Sequence, residues 1–232
     1  MSEHPTRESA RVINDTIRYT VWAVYARVDE LSDSAEALSE LEAWIASLAE
    51  KQIDVRGIYD VSGMRPDADL MLWLHGPKAE DLQQALRDFR RTAAGEATEL
   101  AWSIMALHRP AEFNKGHVPA FMMGKPAGEW LCVYPFNRSY EWYLLPEEER
   151  RRMLVEHGMK GRDYEQVLSN TVSTFALNDY EWVLALEAPQ LHDLVDLMRT
   201  MRYTDARRHV REETPFYTGR RVDAAGAIEV LA

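Results

Sequence analysis

The first half of the chain alternates short apolar runs with amphipathic stretches. Residues 19–25 (YTVWAVY) are rich in β-branched and aromatic side chains, which is typical of a strand. The stretch after Ser32 and Ser34, either of which can cap a helix, has apolar side chains spaced for one helix face: Leu38, Leu41, Ile45 and Leu48. The pattern predicts the order β-α-β-β-α-β, with strands over 19–25, 55–61, 69–75 and 101–108 and helices over 35–50 and 78–92.

The second half repeats this order. Glutamates at 147–149 follow Pro146 at the start of an amphipathic stretch, which favours a helix N-terminus there. The pattern predicts strands over 129–136, 166–177, 180–187 and 216–219 and helices over 146–157 and 189–202. Two such halves in tandem predict an α+β fold with a duplicated ferredoxin-like architecture.

Turn-forming residues separate the halves at Gly116, Pro119, Gly124 and Pro126. Strand segments of both halves also carry tryptophan, so the sheet faces left uncovered by helices are apolar and need a partner. We therefore expect two antiparallel sheets packed together with helices outside, a dimeric α+β barrel in one chain. The expected divisions are a flexible N-terminal arm (1–17), an N-terminal ferredoxin-like domain of structural role (18–110), a linker loop over a pocket (111–127), a C-terminal ferredoxin-like domain (128–222) and a tail (223–232).

Composition narrows the class of protein. Apolar residues make up 46% of the 232 positions, enough to bury a full core, and no apolar run is long enough to predict a membrane span. The N-terminus lacks the apolar segment of a signal peptide, and the single cysteine, Cys132, allows no internal disulfide, which predicts a cytoplasmic protein. A net charge of −11 argues against nucleic acid as the main partner.

Positive charge is concentrated near the C-terminus. Between Arg199 and Arg221 there are seven arginines and no lysine. Because guanidinium groups bind carboxylates and phosphates in a bidentate manner, this concentration predicts a site for an anion.

Tyr134 and His157 are the candidates for chemistry in the second half. Tyr134 precedes a proline at a strand end; it is either a packed tyrosine with a satisfied hydroxyl or a redox or acid-base residue, with Arg138 nearby to bind an anion. His157 precedes Gly158; it is either a helix-terminal histidine with Gly158 as the C-cap, stabilised by the helix dipole, or a metal ligand. His117 lies in the loop between the halves and is either solvated or part of a segment packed over a pocket.

The ordered motifs of the chain resemble the haem-synthesis branch of the chlorite-dismutase-like superfamily, in particular the actinobacterial coproheme decarboxylases. The resemblance covers about residues 18–222. It rests on the segments 109–117 (RPAEFNKGH), 134–143 (YPFNRSYEWY), 150–158 (RRRMLVEHG), 161–164 (GRDY), 179–182 (DYEW), 201–202 (MR) and 207–221 (RRHVREETPFYTGRR).

The resemblance implies a homopentameric enzyme of the coproporphyrin-dependent haem pathway. Its substrate would be iron coproporphyrin III (coproheme), which also serves as the redox cofactor. Hydrogen peroxide would drive the oxidative removal of propionates 2 and 4 as carbon dioxide, through a tyrosyl radical, with haem b as the product. A transient contact with coproporphyrin ferrochelatase is implied as well.

The resemblance also implies residue roles. His157 matches the proximal iron ligand, His117 the distal base that deprotonates peroxide and Tyr134 the radical-forming tyrosine. Residues that match substrate-binding positions or their neighbours are Arg138, Trp142, Arg202, Arg207 and Ser169.

Ser169 marks a departure within the superfamily. Chlorite-degrading members have arginine at this strand position and firmicute decarboxylases have glutamine, so chlorite dismutation is disfavoured. A haem-binding carrier or regulator, or a haem peroxidase on the same scaffold, remains the alternative. The presence of both Tyr134 and His117 favours the decarboxylase.

Overall fold

The computed structural model describes residues 7–110 and 118–232, with side chains from Ala10 onward within these ranges. The chain divides into two compact units. The first unit consists of Ile17–Leu107 and Tyr217–Ala232, and the second consists of the described residues up to Thr16 and of His108–Phe216.

The helices and strands alternate along both units. In chain order they are α1 (Arg7–Asp15), β1 (Tyr19–Arg27), α2 (Ser34–Ser47), β2 (Asp54–Asp60), β3 (Leu70–Gly76), α3 (Ala79–Phe89), α4 (Ala93–Glu96), β4 (Thr98–Leu107), β5 (Trp130–Arg138), α5 (Glu147–Gly161), β6 (Leu168–Ser173), β7 (Trp182–Ala188), α6 (Leu191–Met201), β8 (Val210–Glu212), β9 (Tyr217–Val222) and α7 (Ala224–Leu231).

The first unit is an antiparallel sheet with strand order β4-β1-β3-β2-β9. The predicted order β-α-β-β-α-β is confirmed here, with the short α4 added before β4. Helices α2, α3 and α7 share one core with alternate residues of the strands, and the Trp44 indole donates to the Ala85 carbonyl at 3.0 Å. Trp22 and Trp73 face each other across β1 and β3 with ring centroids 5.1 Å apart.

The cap of α2 differs from the prediction. Asp33, rather than Ser32 or Ser34, is the N-cap, because its side chain accepts hydrogen bonds from the backbone N–H groups of Ala35 and Glu36. Aspartate is as favourable a cap as serine, and its carboxylate also lies at the positive end of the helix dipole.

The second unit is an antiparallel sheet with strand order β6-β7-β5-β8. Its chain order, β5-α5-β6-β7-α6-β8, again matches the predicted repeat. The last strand was assigned wrongly: the second unit closes with Val210–Glu212, whereas Tyr217–Val222 pairs with β2 of the first unit. An apolar sequence pattern predicts that a segment forms a strand, but it does not determine which strand the segment pairs with.

Both chain ends carry helices. The predicted arm of residues 1–17 includes α1, and the predicted tail of residues 223–232 forms α7. The Asp223 side chain caps α7 by accepting from the Gly226 N–H at 2.8 Å, and Ala227, Ile228 and Leu231 are buried in the first unit's core. Among the described residues, no helix is both long and apolar enough to cross a membrane.

Candidate functional site

One face of the second unit's sheet is only partly covered. Strand pairing places Tyr134 opposite Leu184, and Leu184 opposite Thr171. Tyr134 is buried under α6, whereas Leu184 and Thr171 are half-buried. This half-covered face is therefore partly accessible beside a buried tyrosine, with apolar residues on β5 and β7 and hydroxyl residues on β6. Its residues are Tyr134, Phe136, Ser169, Thr171, Ser173, Trp182, Leu184 and Leu186.

Tyr134 is held by a ring stack and by a contact of its hydroxyl. Its ring stacks on Phe216 with centroids 4.4 Å apart, and its hydroxyl donates to the Met198 sulfur at 3.5 Å. Burial raises the pKa of the phenol well above its usual range, so the hydroxyl keeps its proton at neutral pH. A thioether is a weak acceptor, so no strong base of the described residues takes that proton.

Arg202 and Arg207 share one carboxylate. Arg202 follows α6 and Arg207 lies in the short 3₁₀ helix of Asp205–His209. Arg202 pairs with one oxygen of Glu213, and the Arg207 Nη1 lies 2.6 Å from the other. Both guanidinium charges act on Tyr134, where they lower its pKa against the larger effect of burial. The structure thus brings three predicted site residues together around a carboxylate that the sequence prediction did not include.

The structure also brings together Arg138 and Trp142, two of the predicted substrate-binding residues. The Arg138 guanidinium carbon lies 4.2 Å from the Trp142 ring centroid, a close cation–π contact. Trp142 is buried beside Met153 of α5, and its ring centroid is 5.5 Å from that of His209.

Glu181 connects Arg138 to Tyr143 through hydrogen bonds. Its Oε2 accepts from the Arg138 backbone N–H at 2.8 Å and from the Tyr143 hydroxyl at 3.0 Å. The Tyr143 oxygen in turn accepts from the Trp182 indole at 3.0 Å. Burial raises the pKa of Tyr143 to about 12, so this phenol is also protonated at neutral pH. The motif 179–182 contains Glu181, but its spacing carried no signal for this role.

His157 lies inside α5, and the C-cap interpretation of Gly158 is wrong. The helix runs on to Gly161 and is followed by Arg162 in a right-handed conformation. His157 is exposed and follows the buried Met153 by four residues, so both lie on one face of the helix. Its role as an iron ligand stays a prediction.

Ser169 and Asn170 point to opposite faces of β6. Ser169 lies on the half-covered face, whereas the fully buried Asn170 donates to Glu187 at 2.9 Å and to the Ala185 carbonyl at 3.0 Å. The Asn170 oxygen accepts from the Phe121 N–H at 2.9 Å, so the sheet holds the short 3₁₀ helix of Ala120–Met123. His117 lies outside the described residues.

The arginine-rich segment does not form one anion site. Arg220 and Arg221 belong to the first unit, where Arg220 lies 3.9 Å from Asp60. In the second unit, Arg208 lies 3.7 Å from Asp205, and Arg211 lies over the Tyr140 ring. Only the pair on Glu213 lies beside Tyr134.

A cavity of about 380 Å³ lies elsewhere in the second unit. None of the predicted site residues lines it, so it is distinct from the candidate site. Its lining consists of Lys160, Tyr164, Asp196, Arg199, Thr200 and Tyr203.

Comparison with known proteins gives the family. Residues 34–222 match the chlorite dismutase family model. The chain is 55% identical over 222 residues to the coproheme decarboxylase of Mycolicibacterium smegmatis, covering 94% of this chain and 96% of that protein.

Solved structures confirm the predicted α+β, duplicated ferredoxin-like fold. A variant of the chlorite dismutase of Candidatus Nitrospira defluvii has a TM-score of 0.82 at 19% identity, covering 97% of this chain and 99% of that one. The same enzyme in complex with imidazole has a TM-score of 0.81 at 20% identity, covering 92% and 94%. At these sequence identities the solved structures show the fold alone. The family model, together with the bacterial relative, shows that the chain belongs to the chlorite dismutase family.

Proposed function

We propose that this chain is a peroxide-dependent coproheme decarboxylase, which converts iron coproporphyrin III into haem b by removing propionates 2 and 4. The observation that carries the proposal is a buried tyrosine on a half-covered apolar sheet face, with arginines beside it. The relative that is 55% identical is itself a coproheme decarboxylase. Haem biosynthesis is the process in which such an enzyme acts.

The residues of the second unit fit an iron porphyrin. Its flat ring would lie on the half-covered sheet face around Leu184, with Ser169 and Trp142 as further contacts. Arg138, Arg202 and Arg207 would bind the porphyrin's carboxylates, since charge-assisted hydrogen bonds to arginine contribute about 1.5–3 kcal/mol when they are well desolvated. His157 would bind the iron.

The bound iron porphyrin supplies the redox chemistry by which peroxide becomes the oxidant. His117 takes a proton from peroxide, as a base whose ordinary pKa lies near neutrality. Tyr134 loses an electron and its hydroxyl proton, and the resulting tyrosyl radical takes a β-hydrogen from the propionate, which restores the phenol. Removal of a second electron releases carbon dioxide and leaves a vinyl group. Each propionate thus consumes one peroxide and one proton and yields one carbon dioxide and two waters.

Titration with coproheme followed by peroxide tests this function. We expect a Soret band on binding, and then the loss of carbon dioxide and two hydrogens from each of two propionates, followed by mass spectrometry. Tyr134→Phe should bind coproheme but not decarboxylate it, whereas Tyr140→Phe is the matched control because Tyr140 is 74% exposed. Binding without turnover in the unaltered protein would instead support a haem carrier, and normal turnover in Tyr134→Phe would refute the radical role.

Assembly and location complete the proposal. The family resemblance supports a homopentamer in the cytoplasm and a transient contact with coproporphyrin ferrochelatase, which would deliver the iron porphyrin. Sedimentation of the purified protein tests the pentamer, and a monomer would contradict it.

A further inference from the structure

Glu213 pairs with the two arginines whose charges act on Tyr134. Each of its carboxylate oxygens pairs with one guanidinium group, Arg202 on one side and Arg207 on the other. The Glu213 side chain is 15% exposed, whereas the two arginines are 38% and 37% exposed. The carboxylate side chain is therefore the more buried member of the cluster, and the Arg207 Nη1 that faces it is buried as well.

The segment from Glu213 to Phe216 links this cluster to Tyr134. Phe216 stacks on the Tyr134 ring, three residues after Glu213. The Glu213 charge acts on the Tyr134 phenol in the opposite sense to the two arginines. A change at Glu213 therefore alters the charge beside the reacting tyrosine.

The charge of the cluster sets how strongly it prefers carboxylates. Two arginines and one glutamate give +1, whereas the arginines alone would give +2. Each decarboxylation converts an anionic propionate into a neutral vinyl group, so the porphyrin changes from four carboxylates to two. A site with excess positive charge would hold the four-carboxylate porphyrin and disfavour its conversion.

We infer that Glu213 is a specificity-determining residue, an internal carboxylate that competes with porphyrin carboxylates for Arg202 and Arg207. It limits the preference for the four-carboxylate porphyrin and pairs with the arginines when a propionate is lost. This inference rests on the proposed function, because it takes the porphyrin to be the ligand of these arginines.

Binding of iron-free porphyrins tests the inference without turnover. The probes are coproporphyrin III, with four propionates, and protoporphyrin IX, with two, followed by quenching of tryptophan fluorescence. The measured quantity is the ratio of the two dissociation constants. Glu213→Gln should raise the preference for the four-carboxylate probe by about tenfold, as expected for one charge–carboxylate contact partly screened by solvent. Glu212→Gln, at the neighbouring exposed carboxylate, should leave the ratio unchanged.

A charge-restoring pair separates electrostatics from structure. The double variant Glu213→Gln/Arg207→Gln returns the cluster to +1 and should return the ratio to that of the parent protein. Arg207→Gln alone gives a cluster charge of 0 and should lower the preference about tenfold, a test that holds even if Glu213→Gln fails to fold.

The outcomes distinguish this inference from the proposed function. If the parent protein binds coproporphyrin III and the ratio does not follow the cluster charge, the inference is overturned and the proposed function stands. If the parent protein binds neither porphyrin, the inference is overturned, and the titration with coproheme and peroxide decides the proposed function.

Discussion

Removing the Asn170 amide should destabilise the second unit more than any polar substitution on the half-covered face of the same sheet. Asn170 is fully buried and joins three partners: the Phe121 N–H, the Ala185 carbonyl and the Glu187 carboxylate. Glu187 is itself fully buried and also accepts from the Gly128 N–H at 3.0 Å. Asn170→Ala therefore leaves several buried polar groups short of a partner at once.

The expected loss follows from these contacts. A buried donor or acceptor left without a partner costs about 1–3 kcal/mol, and more if the group is charged. The Ala185 carbonyl has a second lone pair, so the Phe121 N–H and the Glu187 carboxylate carry most of the cost. We expect Asn170→Ala to lower the free energy of unfolding by about 3–5 kcal/mol, at the upper end of single substitutions.

Urea unfolding monitored by tryptophan fluorescence and circular dichroism measures this loss. Thr171→Ala is the matched control, because the adjacent Thr171 points to the half-covered face and is half-buried; it should cost less than about 1 kcal/mol. The double variant Asn170→Ala/Glu187→Ala should cost less than the sum of its single variants, since removal of both partners leaves fewer unsatisfied groups. A loss for Asn170→Ala no larger than that of Thr171→Ala would refute the reasoning.

Two further predictions concern a hydrogen bond of the site and a buried histidine. Glu181→Gln should weaken coproheme binding several-fold while leaving the bound substrate's turnover rate nearly unchanged, because one Glu181 oxygen accepts from both the Arg138 N–H and the Tyr143 hydroxyl; an unchanged KM would contradict this positioning role. Burial, together with the charges of Arg18 and Arg56, lowers the pKa of His75 to about 3, so the folded state keeps it neutral while the unfolded chain binds a proton below about pH 6.5. The free energy of unfolding should therefore fall by about 1.6 kcal/mol from this group between pH 6.5 and pH 5, and His75→Gln should lack that share in urea unfolding. Equal pH slopes for parent and variant would contradict it.

The order of strands and helices could be predicted because each element follows from a local sequence pattern. The strands β1 and β3 are short, nearly continuous apolar runs, and α2 and α6 repeat apolar residues at helical spacing. The pairing of the last strand could not be predicted, because residues 217–222 pair with β2, which lies more than 150 residues earlier in the chain. The helix α7 was not predicted for the same reason: its apolar face is buried by packing on the first unit's core, which is distant in sequence.

The candidate site was predicted through residues that resemble a known family, and its carboxylates were not. The chain has 38 acidic side chains, so a glutamate near an arginine in sequence carries little information. Glu213 is six residues from Arg207 and eleven from Arg202, and Glu181 is 43 residues from Arg138. Only the folded structure shows which acidic residue pairs with which arginine.

The two carboxylates hold their arginines in different ways, and this difference has a consequence for binding. Glu181 holds Arg138 through the backbone N–H, so the guanidinium charge on Trp142 is not neutralised by that contact. Glu213 instead binds the guanidinium groups of Arg202 and Arg207 directly. The contact with Glu213 orders both arginine side chains before a ligand arrives, which lowers the entropy cost of binding by about 0.5–1.5 kcal/mol for each ordered side chain. The Glu213 pair therefore suits a carboxylate that must be given up during the reaction.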